Sequence, residues 1–230
     1  MKALIYKEFK LAMHPVCYVF VAAFPLMILI PSYPIAIGFI YVLSCYPILF
    51  LGANKGQQSN DLLFSTLLPV RKKDIVLARI ITVIIMQAAF MLIMSALLPL
   101  ALYINKNVIV PEEATKMTSA GLPFEAFVSI LAIAIIGFAL ADLIFFPIYY
   151  KNGKSIVMST LFTILGFVVY LAIFTIILPY VPGIGEGYVS FLSDKLWLQF
   201  VFLGVAILIS FGLHILIYNI SSKRLEKVDF

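Results

Sequence analysis

Asp142 is the one acidic residue set well inside a long apolar run of this chain. A charged side chain near the centre of a bilayer costs at least ~2.5 to 3.5 kcal/mol on insertion scales, so a carboxylate at such depth calls for a partner. Arg79 is the candidate. If the third and fourth apolar runs form neighbouring antiparallel helices, Arg79 lies ~6 Å beyond the start of its run and Asp142 ~10 Å from the end of its own, at ~1.5 Å per residue. The expected contact is an intramembrane ion pair between Arg79 and Asp142, either structural or broken as a gate during transport. A proton relay asks for a chain of ionisable groups, and only one is evident here.

The remaining residues that could do chemistry point to no catalytic centre. Cys17 and Cys45 stand alone in their runs, and two thiols without companion ligands cannot complete a zinc shell, so no metal site and no disulfide is expected. His14 and His214 do not add to a ligand set, and His214 is expected to be packed or hydrogen-bonded within its run. Gly153-Lys154-Ser155 is the nearest approach to a phosphate loop. The first glycine of that motif would fall at Ile148, and no strand precedes it, so the chain is expected to be no enzyme and to hold no nucleotide. Glu112-Glu113 resembles the glutamate pair of intramembrane CAAX-type proteases, but the arginine of that pattern would fall at Met117 and no histidine is close by.

The elements that must hold these residues are written in the composition: 63% of the 230 residues are hydrophobic, 12% are charged, and apolar runs of about 20 residues recur. Only helices or closed barrels satisfy every backbone polar group in hydrocarbon, and continuous rather than alternating runs favour helices. The expected fold is all-α and polytopic, one transmembrane domain over 1–230 with six spans at 16–30, 35–53, 75–102, 124–149, 155–178 and 196–219. Connections of about 20 residues or fewer leave no room for a soluble domain. Lys2, Lys7 and Lys10 precede the first run, whose length and close following span predict a retained anchor and not a cleaved signal peptide. Lysines alternating with Ala3, Leu4, Ile5, Phe9 and Met13 predict an interfacial helix over 1–14, its lysines among the lipid headgroups.

An even number of spans puts both termini on one side. Of the sixteen Lys and Arg residues, all but Lys106, Lys116 and Lys195 fall on that side, which makes it cytoplasmic and leaves 220–230 as a cytoplasmic tail. The net charge of +5 then reflects topology and gives no reason to expect a nucleic-acid partner.

Between the second and third runs lies a segment of another kind, 59–69. Ser59 or Asn60 can cap a first turn, Asp61 suits the positive end of the helix dipole, and Leu63 with Leu67, or Phe64 with Leu68, form i,i+4 apolar pairs. Pro69 stops it. Two turns of helix are too short to span the bilayer or to stand alone in water, so this one must dock on something. Arg71, Lys72 and Lys73 follow, as cations for lipid phosphates or a partner's acidic rim, and Asp74 is placed to cap the third span.

The start Lys7-Glu8-Phe9, together with Asn60-Asp61-Leu62-Leu63 and Leu68-Pro69-Val70-Arg71-Lys72-Lys73-Asp74-Ile75-Val76, resembles the permease subunits of bacterial type-2 ABC exporters, in particular the phenol-soluble-modulin exporter group. The specific part runs from Asp61 to Arg79; the rest agrees in pattern. The resemblance implies that Asp61, Leu62, Leu63, Phe64, Leu67 and Leu68 form a coupling helix seated in an ABC ATPase subunit, with Arg71, Lys72 and Lys73 beside it, and that 1–14 is an elbow helix. It further implies a second permease copy, ATP and Mg on the partner ATPase with no cofactor in this chain, amphipathic peptides or other hydrophobic cargo, and a place in the bacterial plasma membrane. The alternatives are an ATPase-independent channel or ion-coupled secondary carrier, and a membrane assembly or immunity factor.

Overall fold

The computed structural model describes residues 2–13, 15–29, 70–107, 126–152, 156–178, 181–184, 187, 190–191 and 195–227. The expected second span at 35–53, the segment 59–69 and most of the outer loop after the third span lie outside the described residues.

Helix α1 (Lys2–Lys7) widens into a π-type turn over Glu8–Ala12, and Met13 then adopts an extended conformation, φ −84° and ψ 129°. After Pro15, which needs no N–H partner at a helix start, α2 (Pro15–Ala23) tightens into a 3-10 turn over Phe24–Leu29 around Pro25. The chain bends by 84° between Lys2–Lys10 and Pro15–Leu26. Four long helices follow: α3 (Lys72–Asn107), α4 (Phe127–Asn152), α5 (Ile156–Leu171, prolonged by π-type turns over Ala172–Ile177) and α6 (Leu196–Glu226). Among the described residues, four helices are long and apolar enough to cross a membrane, or five if the bent pair is one span.

Three features differ from expectation. Helix α3 starts at Lys72, with the Arg71 carbonyl accepting from the N–H groups of Asp74 (2.9 Å) and Ile75 (3.4 Å). Arg71 thus stands at the cap, and Asp74 lies inside the first turn, where a carboxylate still meets the positive helix end favourably. Helix α6 runs to Glu226, so most of the expected tail at 220–230 is helical. The lysines of α1 are not all in the headgroup layer: Lys2 and Lys10 are exposed, Lys10 lying over the Tyr6 ring at 5.3 Å, whereas Lys7 is buried. Helical spacing explains this, since 2, 6 and 10 share one face and 4, 7 and 8 the other.

Helix α4 is the centre of the bundle, with 56% of its spanning window buried against 11% for α6. It packs on α6 and α5 along its length, and α3 contacts α1, α2 and α6. Helices α3 and α4 meet through long side chains more than by close backbone approach. Phe90 and Phe138 join them edge to face at 6.2 Å, and Phe138 stacks in turn on Phe167 of α5 at 6.0 Å. Gly137 permits the α4–α5 contact. A Cβ there would lie 2.8 Å from Tyr170 Cε1 and 3.0 Å from Phe167 Cε2, and the Tyr170 hydroxyl donates to the Ile133 carbonyl at 2.8 Å. Beyond α5, Val181-Pro182-Gly183-Ile184 forms a turn, with the Ile184 N–H reaching the Val181 carbonyl at 3.2 Å and Gly183 at φ 81°. Proline then glycine at the two central positions is the pattern of a type II turn.

Candidate functional site

Two buried polar clusters sit on the facing sides of α3 and α4, one above the other. In the first, Arg79 grips a carboxylate 71 residues earlier in the sequence: Nε donates to Glu8 Oε2 at 2.9 Å and Nη2 to Oε1 at 3.3 Å. Its Nη1 donates to the Tyr149 hydroxyl at 3.3 Å, and Lys7 Nζ lies 3.5 Å from Glu8 Oε1. A forked guanidinium–carboxylate contact fixes orientation as well as distance. All three charged side chains are buried, so α1, α3 and α4 are held together by groups that cannot exchange their partners for water.

In the second cluster, Asp142 is fully buried and its Oδ2 receives Gln87 Nε2 from α3 at 3.0 Å and faces His214 Nε2 of α6 at 3.2 Å. The other ring nitrogen, Nδ1, lies 2.7 Å from the Ser210 carbonyl and 3.4 Å from the Ser210 hydroxyl. One carboxylate thereby joins three helices.

The structure corrects the expected Arg79–Asp142 ion pair. The antiparallel register of α3 and α4 sets Arg79 beside Tyr149, Gln87 beside Asp142 and Phe90 beside Phe138. Arg79 and Asp142 are therefore about two turns, ~10 Å, apart along the axis. Taking the ends of the two apolar runs as level hid this offset, because Arg79, and not Ile75, stands beside Tyr149. Glu8, Gln87 and Tyr149 were missed as partners. The signals were an acid set between Lys7 and Lys10, and one amide in an otherwise apolar stretch of α3. His214 was expected to be packed or hydrogen-bonded, and it is, although its partner was not foreseen.

Beside the second cluster a cavity of about 290 Å³ opens between α3, α4 and α6. Gln87, Ser210 and His214 form its polar end, and Ile84, Met91, Phe138 and Phe211 are among its apolar walls. A smaller cavity of about 30 Å³ around Phe90, Met94, Phe127 and Phe138 has no polar lining residue. Among the described residues no three His, Cys, Asp or Glu side chains converge as metal ligands.

The basic end of the bundle is assembled by contacts between distant segments. Lys73 lies 3.4 Å from Glu226, joining the start of α3 to the end of α6, and the Arg224 guanidinium donates to the Pro147 carbonyl near the end of α4. Arg71 and Lys73 are exposed there and Lys72 is half-buried. Asp61, Leu62, Leu63, Phe64, Leu67 and Leu68, expected to dock on an ATPase, lie outside the described residues. So do Cys45, the Glu112-Glu113 pair and Gly153-Lys154-Ser155.

Comparison with curated proteins gives no match, and comparison with solved structures gives none. A family model described as "ABC-2 family transporter protein" matches residues 3–224, nearly the whole chain. The match takes in α1 with Glu8, the basic start of α3 and both buried clusters. It accords with the apolar helices long enough to cross a bilayer and with the type-2 permease resemblance, without reaching the narrower exporter group. The chain belongs to the ABC-2 family of transporter proteins, as a multi-pass permease subunit in the cell membrane that works with an ABC ATPase.

Proposed function

We propose that this permease is the membrane part of an ATP-driven exporter of amphipathic peptides or similar hydrophobic cargo. Two copies pair to enclose the pathway, and separate ATPase subunits bind ATP and Mg. Residues 59–69 dock on the ATPase through Leu63, Phe64, Leu67 and Leu68, flanked by Arg71, Lys72 and Lys73.

The observation that carries this reading is the Glu8–Arg79 clamp. The 59–69 segment leads within a few residues into α3, whose 36 residues make a rod of ~54 Å. Arg79 lies about two turns into that rod and holds α1 through Glu8 and α4 through Tyr149. A push on 59–69 therefore enters three elements together, and the buried contacts transmit it without a long pathway. The apolar, aromatic interior of the bundle suits a cargo with an apolar face.

The test is ATP hydrolysis by the reconstituted complex with Leu63→Asp or Phe64→Asp. Permease-dependent stimulation should be lost while the variant permease stays folded and membrane-inserted. Stimulation at the wild-type level would overturn the coupling role. The Asp142–His214 contact favours one other reading, an ion-coupled carrier. For that, purified permease in liposomes would accumulate cargo on an ion gradient without ATP, and Asp142→Asn would abolish the uptake.

A further inference from the structure

The second buried cluster holds its hydrogen atoms in a way the geometry largely dictates. The Ser210 carbonyl only accepts, so His214 Nδ1, 2.7 Å away, carries a hydrogen. Gln87 Nε2 donates to Asp142 Oδ2. The remaining contact, His214 Nε2 to the same oxygen at 3.2 Å, needs one proton between the two atoms. With none, a lone pair faces a carboxylate; with two, an N–H faces an O–H unless that group turns away. The singly protonated pair bridges α4 to α6, either as imidazolium and carboxylate or as neutral imidazole and carboxylic acid, and losing that proton breaks the bridge. Shifting the proton from Nε2 to Oδ2 converts one form into the other, with no change in net charge.

We propose that Asp142 and His214 form a proton-exchanging site, which gains and loses its bridging proton through the cavity between α3, α4 and α6. Burial gives the direction of entry: the Asp142 side chain is 0% exposed and that of His214 11%, and His214 lines the cavity while Asp142 lies behind it. A water needs roughly 30 Å³ and two to four polar partners. The cavity of about 290 Å³ has the room, and Gln87 and Ser210 supply polar partners beside the His214 ring.

Among the described residues, α3 presents the uncharged Gln87 at this level, and its nearest charged group, Arg79, is about two turns away and tied to Glu8. On α4 the nearest titratable groups are Tyr149 and Tyr150, about two turns distant. On α6 it is Tyr218, one turn along, and on α5 Tyr170, already bonded to the Ile133 carbonyl. Breaking the bridge removes a buried polar tie between α6 and α4, two helices that otherwise pack on each other extensively. The site thus gives a transporter of this build a proton-sensitive joint, independent of whether residues 59–69 contact an ATPase.

The chain has two histidines and five aspartates, so His14→Gln and Asp142→Asn suffice to assign the relevant signals. Permease alone, in lipid nanodiscs with 15N-labelled histidine and 13C-carboxyl aspartate, is titrated by NMR between about pH 5 and 8, where histidine charge changes in proteins. The expected result is one shared proton on the pair near neutral pH, a coupled shift of the His214 and Asp142 signals across the window, and loss of the coupled response in Asp142→Asn and in His214→Gln. Signals of both residues that stay constant over the window would overturn the proposal. So would a His214 response unchanged by Asp142→Asn. The wild-type titration decides the question even if a variant does not fold. Because no ATPase is present, failure here leaves the exporter reading standing, and failure of the Phe64→Asp test leaves this one.

Discussion

Glu8 and Arg79 lie 71 residues apart in sequence, and their contact ties the N-terminal helix to α3. Removing one member of a buried charge pair strands the other, which costs about 3–5 kcal/mol, whereas replacing both with apolar groups of similar size is often neutral. Glu8→Ala should therefore lower the thermal midpoint of the purified permease markedly. Glu8→Met with Arg79→Met should recover part of that loss, since the buried Lys7 still loses its contact with Glu8. A double variant as unstable as Glu8→Ala would show that the pair contributes more than mutual compensation of charge. The double variant should nonetheless be poor at stimulating the ATPase, because an apolar contact leaves α1 free to slide where the fork held it. That separation of stability from coupling is measurable on one preparation.

At the scale of elements, the α4–α5 contact rests on a missing side chain. Gly137→Ala would drive a methyl into the rings of Phe167 and Tyr170, which are braced by Phe138 and by the Ile133 carbonyl. Overpacking of this kind costs about 1–3 kcal/mol. Gly166→Ala faces the Ile144 Cδ1 instead, the far end of a flexible side chain, and should cost less although the approach, 2.3 Å, is closer. Gly204→Ala on α6, with nothing within 4 Å, should be neutral or slightly stabilising, since alanine is the better helix former by about 1 kcal/mol. Thermal unfolding of the three variants should rank them in that order; equal losses would mean that ring contacts do not set the α4–α5 distance. The turn after α5 was legible in sequence, because Pro182-Gly183 specifies its own backbone. The widening of α5 at Ala172–Ile177 had no such local marker.

At the scale of the molecule, the described contacts bring the start of α3, the ends of α4 and α6, and α1 to one end of the bundle. That end carries Lys2, Lys10, Arg71, Lys73, Lys151, Lys223 and Lys227, and by the positive-inside rule we propose it as the cytoplasmic one. In a chain with Cys17 and Cys45 replaced by alanine, Lys227→Cys should react with a membrane-impermeant maleimide only after permeabilisation. Gly183→Cys should react in intact cells. The reverse pattern would invert the topology and remove the 59–69 segment from any cytoplasmic ATPase.

Composition and charge placement were enough to specify a helical polytopic membrane protein, the approximate position of the four long helices described and the sidedness to be tested, because transfer to hydrocarbon and attraction of lysine to one membrane face act on each segment separately. They were also enough to place Asp142 at a depth where it must have a partner. Which partner it takes was decided by the register of α3 on α4 and by α6 closing from the side, so Gln87 and His214 surround it, while Arg79 turns to Glu8. Span boundaries good to a few residues leave such a register undetermined, for a shift of two turns moves a buried charge ~10 Å and changes every neighbour it has.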